Sequence, residues 1–285
     1  MVKKYLFIFL LSLAAGHLQA QSFFTTFFAG VSNYKGDLGD GNSVLPNSHP
    51  AFGVGCMYEI NHRMLVRLDG TFGKLSGSDK LSRNRNRNLS FYSKINEFSV
   101  SFEYVLFDLY DYKVSPYAIL GVGRFNFNPF TKNKNDLVVN LYEQNTEGQG
   151  FYKDRKPYKL TQTSIPFGGG LQWAINDDKR LALIVGIRKT FTDYLDDVST
   201  TYVDETLLTQ KRGSNAVTLA YRGGEVGAGS YPRDGAKRGN ASNKDWFTFS
   251  GISYRVRLKA RGGKARNIRV DKVSNNKSKT SCPKF

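Results

Sequence analysis

The stretch Glu97-Phe98-Ser99-Val100-Ser101-Phe102-Glu103-Tyr104-Val105-Leu106 alternates residue by residue. Successive side chains of an extended chain point to opposite faces. Phe98, Val100, Phe102, Tyr104 and Leu106 therefore share an apolar face, while Glu97, Ser99, Ser101 and Glu103 share a polar one. Helical spacing would mix Glu103 and Ser99 with the phenylalanines, so the segment reads as a strand. The pattern recurs on both sides of it. Phe52, Val54, Cys56, Tyr58 and Ile60 oppose Gly53, Gly55, Met57 and Glu59. Met64, Val66, Leu68, Gly70 and Phe72 oppose Arg67, Asp69, Thr71 and Gly73. Ile165, Phe167, Leu171 and Trp173 oppose Gly168, Gly170 and Gln172; Leu181, Leu183, Val185 and Ile187 oppose Gly186 and Arg188. Ile252, Tyr254, Val256 and Leu258 oppose Gly251, Ser253, Arg255 and Arg257. Residues 23–37 follow the pattern weakly, and the facing of residues 116–126 is ambiguous.

These segments make eight strands whose connections alternate in length. Residues 38–49, 75–88, 127–160 and 193–244 are long and polar; the turns at 61–63, 108–115 and 176–179 are short. A soluble sandwich has no reason to alternate its loops so strictly. Outer-membrane barrels do, with short periplasmic turns and long outside loops. The expected fold is all-β: an eight-stranded antiparallel transmembrane β-barrel with long extracellular loops and both termini in the periplasm. The apolar run near the start is too short for a spanning helix, which needs about 20 residues, and no other stretch is long or apolar enough.

The inner faces carry glycine, serine and charge. Glu59, Arg67, Asp69, Glu97, Glu103, Arg188, Arg255 and Arg257 all fall there. Facing lipid, each arginine would cost about 2–4 kcal/mol at the midplane, and each acid less. Facing inward they can pair across a lumen that eight strands make just wide enough for side chains to fill. Gly53, Gly55, Gly121, Gly123, Gly168 and Gly170 are expected to make room for them. The barrel is then plugged and conducts nothing large.

Lys3 and Lys4 precede an apolar run over residues 5–15 and a small-residue stretch ending at Ala20, the form of a signal peptide over residues 1–20. The barrel then occupies 21–258, and 259–285 is a basic, flexible periplasmic tail. The net charge of +17 falls to +15 without Lys3 and Lys4; the tail, with nine Lys/Arg against Asp271, carries +8 of it. A nucleic-acid protein spreads its basic residues over a folded surface among stacking aromatics. More than half of the mature excess thus sits at one end, which together with export argues against nucleic acid.

The residues supply no catalytic constellation, cofactor site or metal site. His49 and His62 lie in a loop and a turn without a triad or ligand set around them. Gly53-Val54-Gly55 and Gly121-Val122-Gly123 sit within strands rather than at a helix start, so they cradle no phosphate. Asp193, Asp196 and Asp197 lack calcium-loop spacing and read as a solvated loop. Arg83, Arg85 and Arg87 read as a charged surface loop, with contact to anionic lipopolysaccharide the alternative. Cys56 falls on an apolar face and is expected to meet lipid. Cys282, in the tail, is left either unpaired, in a tail dimer, or in an intermolecular disulfide with a partner.

Gly30-Val31-Ser32-Asn33-Tyr34-Lys35-Gly36-Asp37-Leu38 resembles the first-strand signature of PorG-like outer-membrane proteins of the Bacteroidetes, with Gly30, Ser32, Tyr34, Gly36, Asp37 and Leu38 carrying the likeness. Residues 116–123 and 125–129 look like that family's middle. The resemblance implies a non-enzymatic outer-membrane component of the type IX secretion system that holds a periplasmic ring lipoprotein and its partner against the membrane. The basic tail suits such a tether, which makes Arg261, Lys264, Arg266, Arg269 and Cys282 the expected partner contacts. The rival expectation is a small OmpA- or OmpX-like barrel acting in adhesion or envelope integrity.

Overall fold

The computed structural model describes residues 22–38 and 47–258. Its strands are β1 (Ser22–Lys35), β2 (His49–Asn61), β3 (Met64–Ser78), β4 (Ser90–Val105), β5 (Val114–Lys132), β6 (Val138–Asn140), β7 (Thr161–Asn176), β8 (Lys179–Thr190) and β9 (Trp246–Leu258). Neighbours run in the order β4-β3-β2-β1-β9-β8-β7-β5, and β4 also pairs with β5, so eight strands close on themselves without an edge. Every pairing between them is antiparallel. The ninth strand, β6, is a short extension paired with the end of β5, outside the closed ring.

Closure matters because a strand crossing lipid must satisfy all its backbone groups within the sheet. Alternation then sorts the side chains. Phe52, Phe98, Phe102, Leu120, Val122, Leu183 and Val185 are all exposed on the outer face. Together with their neighbours they wrap the barrel in a continuous apolar band, far larger than the patches soluble monomers expose. Glu59, Asp69, Glu97 and Glu103, the only carboxylates in the strands, all point inward. The protein is a transmembrane β-barrel. Cys56 is exposed on the outer face as expected. The facing that was ambiguous in sequence resolves too: on β5, Tyr117, Ile119 and Phe125 point in, and Leu120 and Val122 point out.

Residues 133–160 and 191–245, long and polar in sequence, fold into a cap over one mouth. Three α-helices lie in it: α1 (Leu141–Gln144), α2 (Glu205–Arg212) and α3 (Ser214–Ala220). Leu141, Leu195, Val198 and Leu219 join Phe91, Phe127 and Phe247 of the barrel in one core. Tyr152, Val203, Leu208, Ala216 and Ala220 form a second. These apolar residues are diluted by polar ones in sequence, so no period marks them.

The other mouth is closed by the turn at 106–113. Leu109 is buried there among Phe24, Leu65 and Val105. The Tyr110 hydroxyl reaches 2.8 Å from Glu59 Oε1 and also accepts from Arg257 Nη2. What reads as a plain turn is a stopper. The residues expected as signal peptide and as tail, including Arg261, Lys264, Arg266, Arg269 and Cys282, lie outside the described residues.

Candidate functional site

The lumen is filled by ion pairs in layers. Nearest the short turns, Arg180 Nη2 donates to Glu59 Oε2 at 2.9 Å. One layer up, Arg67 and Arg255 converge on Glu103: Arg67 Nη1 lies 2.8 Å from Oε2 and Arg255 Nη1 2.6 Å from Oε1. Arg67 Nε also donates to Asp69 at 3.0 Å, and Gln172 Oε1 accepts from Arg255 at 2.8 Å. Above that, Arg188 Nε and Ser164 Oγ hold the two oxygens of Glu97 at 2.9 and 2.8 Å. The guanidiniums lie over rings as well: Arg180 over Phe24 at 4.5 Å, Arg188 over Phe249 at 4.7 Å and Arg255 over Tyr117 at 5.0 Å. A buried charge persists only where partners repay its lost hydration, and here each carboxylate has at least one guanidinium.

Of the eight expected lumen charges, seven occupy this network. Arg257 departs: it sits at the mouth, half-buried, 3.8 Å from Asp178 of the β7–β8 turn rather than on a lumen acid. Arg180 was missed. It shares the parity of Arg188 on β8, but it follows Lys179 and reads as part of the turn. The glycines divide by task. A Cβ at Gly55 would stand 2.5 Å from Asp69 Oδ1, and one at Gly123 3.0 Å from Glu97 Oε1, so these two do make room for charge. Gly168 and Gly170 instead lie against the backbone of Val185 and Leu183, and Gly121 against that of Val100. There the missing Cβ permits close strand approach. Gly53 faces Gly70 O and Thr71 at 3.0 and 3.3 Å rather than any charge.

A second polar centre holds the cap down, and the first-strand motif organises it. Ser32 Oγ donates to Lys74 O at 2.7 Å. Tyr34 OH lies 2.6 Å from Asp196 Oδ2 and 3.1 Å from Asp245 Oδ1. Gly36 sits beneath both, where a Cβ would collide with Asp245 and the phenol. Asp37 Oδ2 accepts from the Asn240 amide at 2.5 Å, and Leu38 is buried in the shared core. Gly30 passes so close to Gly251 on β9 that no side chain fits. The motif therefore ties the barrel wall to the last long connection.

Two arginines complete the centre. Arg87 binds Asp79 through both Nε and Nη2, at 2.7 and 2.8 Å. Arg238 Nη1 reaches Glu147 Oε1 at 2.9 Å and Asp197 O at 2.6 Å. Glu147 also accepts from the Ser199 and Thr200 amides, both at 2.9 Å. Asp197 accepts from Thr146 Oγ1 at 2.6 Å and Tyr158 OH at 2.8 Å. Asp193, Asp196 and Asp197 are thus buried rather than solvated, and Arg87 is a structural ion pair rather than a surface charge. Burial pushes Asp193 and Asp197 up to about 7 and raises Asp196 and Asp245 well above the carboxylate range. Among the described residues no group of three or more His, Cys, Asp or Glu is placed to hold a metal ion.

A closed eight-stranded transmembrane barrel, sealed by ion pairs within and a folded cap without, defines the class. The chain belongs to the family described as domain of unknown function DUF6089, whose model matches residues 3–215. No curated protein matches it. Solved structures similar to it include Neisserial surface protein A, at 9% identity over 84% of this chain and 100% of that one, with a TM-score of 0.43. Ail, the attachment invasion locus protein of Yersinia pestis, in complex with sucrose octasulfate, matches at 12% identity over 84% and 100%, with a TM-score of 0.40. OprG of Pseudomonas aeruginosa matches at 12% over 86% and 99%, with a TM-score of 0.36.

Proposed function

We propose that this protein is a non-conducting, non-enzymatic anchor in the outer membrane, and that its work is done by the surfaces at its two ends. The observation that carries this reading is the lumen: Glu103, wholly buried between Arg67 and Arg255, stands where a channel would need water. A barrel plugged at three levels and stoppered at both mouths has nothing to transport through itself. Bacterial closed barrels of this kind reside in the outer membrane, with the short turns toward the periplasm. On that side the basic segment 259–285 extends the chain by a charge of +8. The likeness of the Gly30–Leu38 motif to PorG-like proteins supports the finer reading. In it the barrel is a component of type IX secretion and tethers a periplasmic ring lipoprotein and its partner. Arg261, Lys264, Arg266, Arg269 and Cys282 would make the contacts, with a disulfide through Cys282 one form of the tether.

The folded cap favours a second reading, an adhesion or envelope-integrity barrel whose outside surface meets other surfaces. Two deletions separate them. Removing residues 259–285 while the barrel still assembles is expected to abolish secretion of cargo under the anchor reading; intact secretion overturns it. Trimming residues 204–235 from the cap is expected to leave secretion unchanged and to lose adhesion only if the second reading holds.

A further inference from the structure

The strands carry no carboxylate on their outer face, but they do carry cations there. Lys35, Lys74, Lys94, Arg124 and Lys189 all occupy outward positions in the half of the barrel nearest the cap. None of the five forms an ion pair among the described residues, whereas Lys132, beyond them, is paired with Asp136 at 3.5 Å. At the other end the charges are mixed: Arg63, Lys113 and Lys179 stand with Asp108, Asp111, Asp177 and Asp178. The outer face of the strands therefore carries a positive collar on the cap side that is unpaired among the described residues.

Two parts of the collar have the form of a headgroup site. Lys74 and Lys94 are direct cross-strand partners on β3 and β4. Like charges so placed repel each other unless an anion lies between them. Lys74 Nζ lies 4.1 Å over the ring of Tyr92, which stacks on Phe130 at 5.8 Å. Amphipathic aromatics of this kind mark the level where lipid headgroups begin. Asn96 and Asn126, opposite each other on β4 and β5, continue the polar strip toward Arg124. Around the wall, Trp246 pairs with both Lys35 and Lys189, repeating the combination of interfacial ring and two cations.

We propose that this collar binds the phosphates of a lipid A-type glycolipid in the outer leaflet, with Lys74 and Lys94 clamping one phosphate and Lys35 and Lys189 meeting others. This rests on the membrane-spanning reading of the barrel. The collar is a site separate from the loop of Arg83, Arg85 and Arg87, of which Arg87 is buried on Asp79. It also sets orientation: the collar draws the cap end into the anionic outer leaflet, because each cation near a charged surface adds attraction that fades within a Debye length.

The full chain is folded into phosphatidylcholine vesicles, where heat-modifiable mobility reports insertion independently of any anionic lipid. Native mass spectrometry then measures retention of bisphosphorylated lipid A, its dephosphorylated form, and phosphatidylglycerol. Retention of the bisphosphorylated lipid alone, weakened by salt, is expected. Lys74→Gln with Lys94→Gln should lower it on the order of tenfold or more, Lys35→Gln with Lys189→Gln should also lower it, and Lys132→Gln should leave it unchanged. Equal retention of the dephosphorylated lipid or of phosphatidylglycerol overturns the proposal, as does full retention in both double variants. A chain that inserts yet retains nothing refutes the collar while leaving the barrel standing.

Discussion

The Tyr34 hydroxyl of β1 lies 2.6 Å from Asp196 Oδ2, a carboxyl 162 positions away in sequence. The same hydroxyl is 3.1 Å from Asp245 Oδ1. A phenol has one proton to donate, so one of the two contacts needs a proton on the carboxyl. Neither Asp196 nor Asp245 forms an ion pair among the described residues, and burial raises both well above their ordinary range. The cap is thus latched to the barrel through the Tyr34 hydroxyl. Tyr34→Phe leaves a buried carboxyl without its donor, which costs about 1–3 kcal/mol. The expected result is faster trypsin cleavage within residues 204–238 while the heat-modifiable barrel persists.

The latch should loosen with alkali. A carboxyl whose folded value lies above its unfolded value binds more protons folded than unfolded, so its stabilising effect is complete below the unfolded value, near 4. The effect is lost as pH rises through the folded value. For Asp193 and Asp197 the folded value is about 7, so the window runs from about 4 to about 7. Amide hydrogen exchange in residues 191–200, corrected for its intrinsic pH dependence, should show stronger protection at pH 5 than at pH 8. Equal protection at both would contradict the buried-acid account.

Glu103 carries the middle of the lumen. Glu103→Gln leaves Arg67 and Arg255 buried with only Asp69 nearby, and breaking a buried pair in this way costs about 3–5 kcal/mol. The urea midpoint of the heat-modifiable band should fall accordingly. Replacing the cluster together, with Arg67→Met, Asp69→Asn, Glu103→Leu and Arg255→Met, removes each charge with its partner and should recover most of that loss.

Planar bilayers offer a direct reading of the plug. The intact protein should pass no resolvable single-channel current, because Glu59, Glu103 and Glu97 each bridge the lumen to an arginine on another strand. Tyr110→Ala alone should leave the bilayer tight, since it opens only the lower mouth. A steady large conductance from the intact chain would refute the sealed lumen.

Cys56 tests the outer face. Its thiol is exposed on β2, between Val54 and Tyr58, in the apolar band. With Cys282→Ser as background, a membrane-permeant maleimide should label it in intact vesicles and a charged, impermeant one should not. Labelling by both would place β2 against water.

The alternation of Glu97–Leu106, repeated along the chain and set beside the alternating loop lengths, was enough to assign the barrel, its strand number and most of its inner charges, including Arg67, Glu97, Glu103 and Arg188. That legibility has a local cause. A strand places neighbours on opposite faces whatever it pairs with, so greasy and ionic residues separate within ten positions of sequence. Arg180 escaped because a turn residue next to it hid its parity. Arg257 lay on the right face but too near the mouth, and its height depends on strand tilt and stagger.

The cap obeys no such period. Tyr34 with Asp196, Arg87 with Asp79 and Arg238 with Glu147 meet across gaps of 162, 8 and 91 residues. Read in order, these residues look like charged loops. Which carboxyl finds which arginine depends on how the described connections pack together over the mouth, which spacing along the chain does not encode. Alternation along the chain was therefore sufficient for the wall and its two faces, whereas the plug above it exists only once the closed wall has brought the loop ends together.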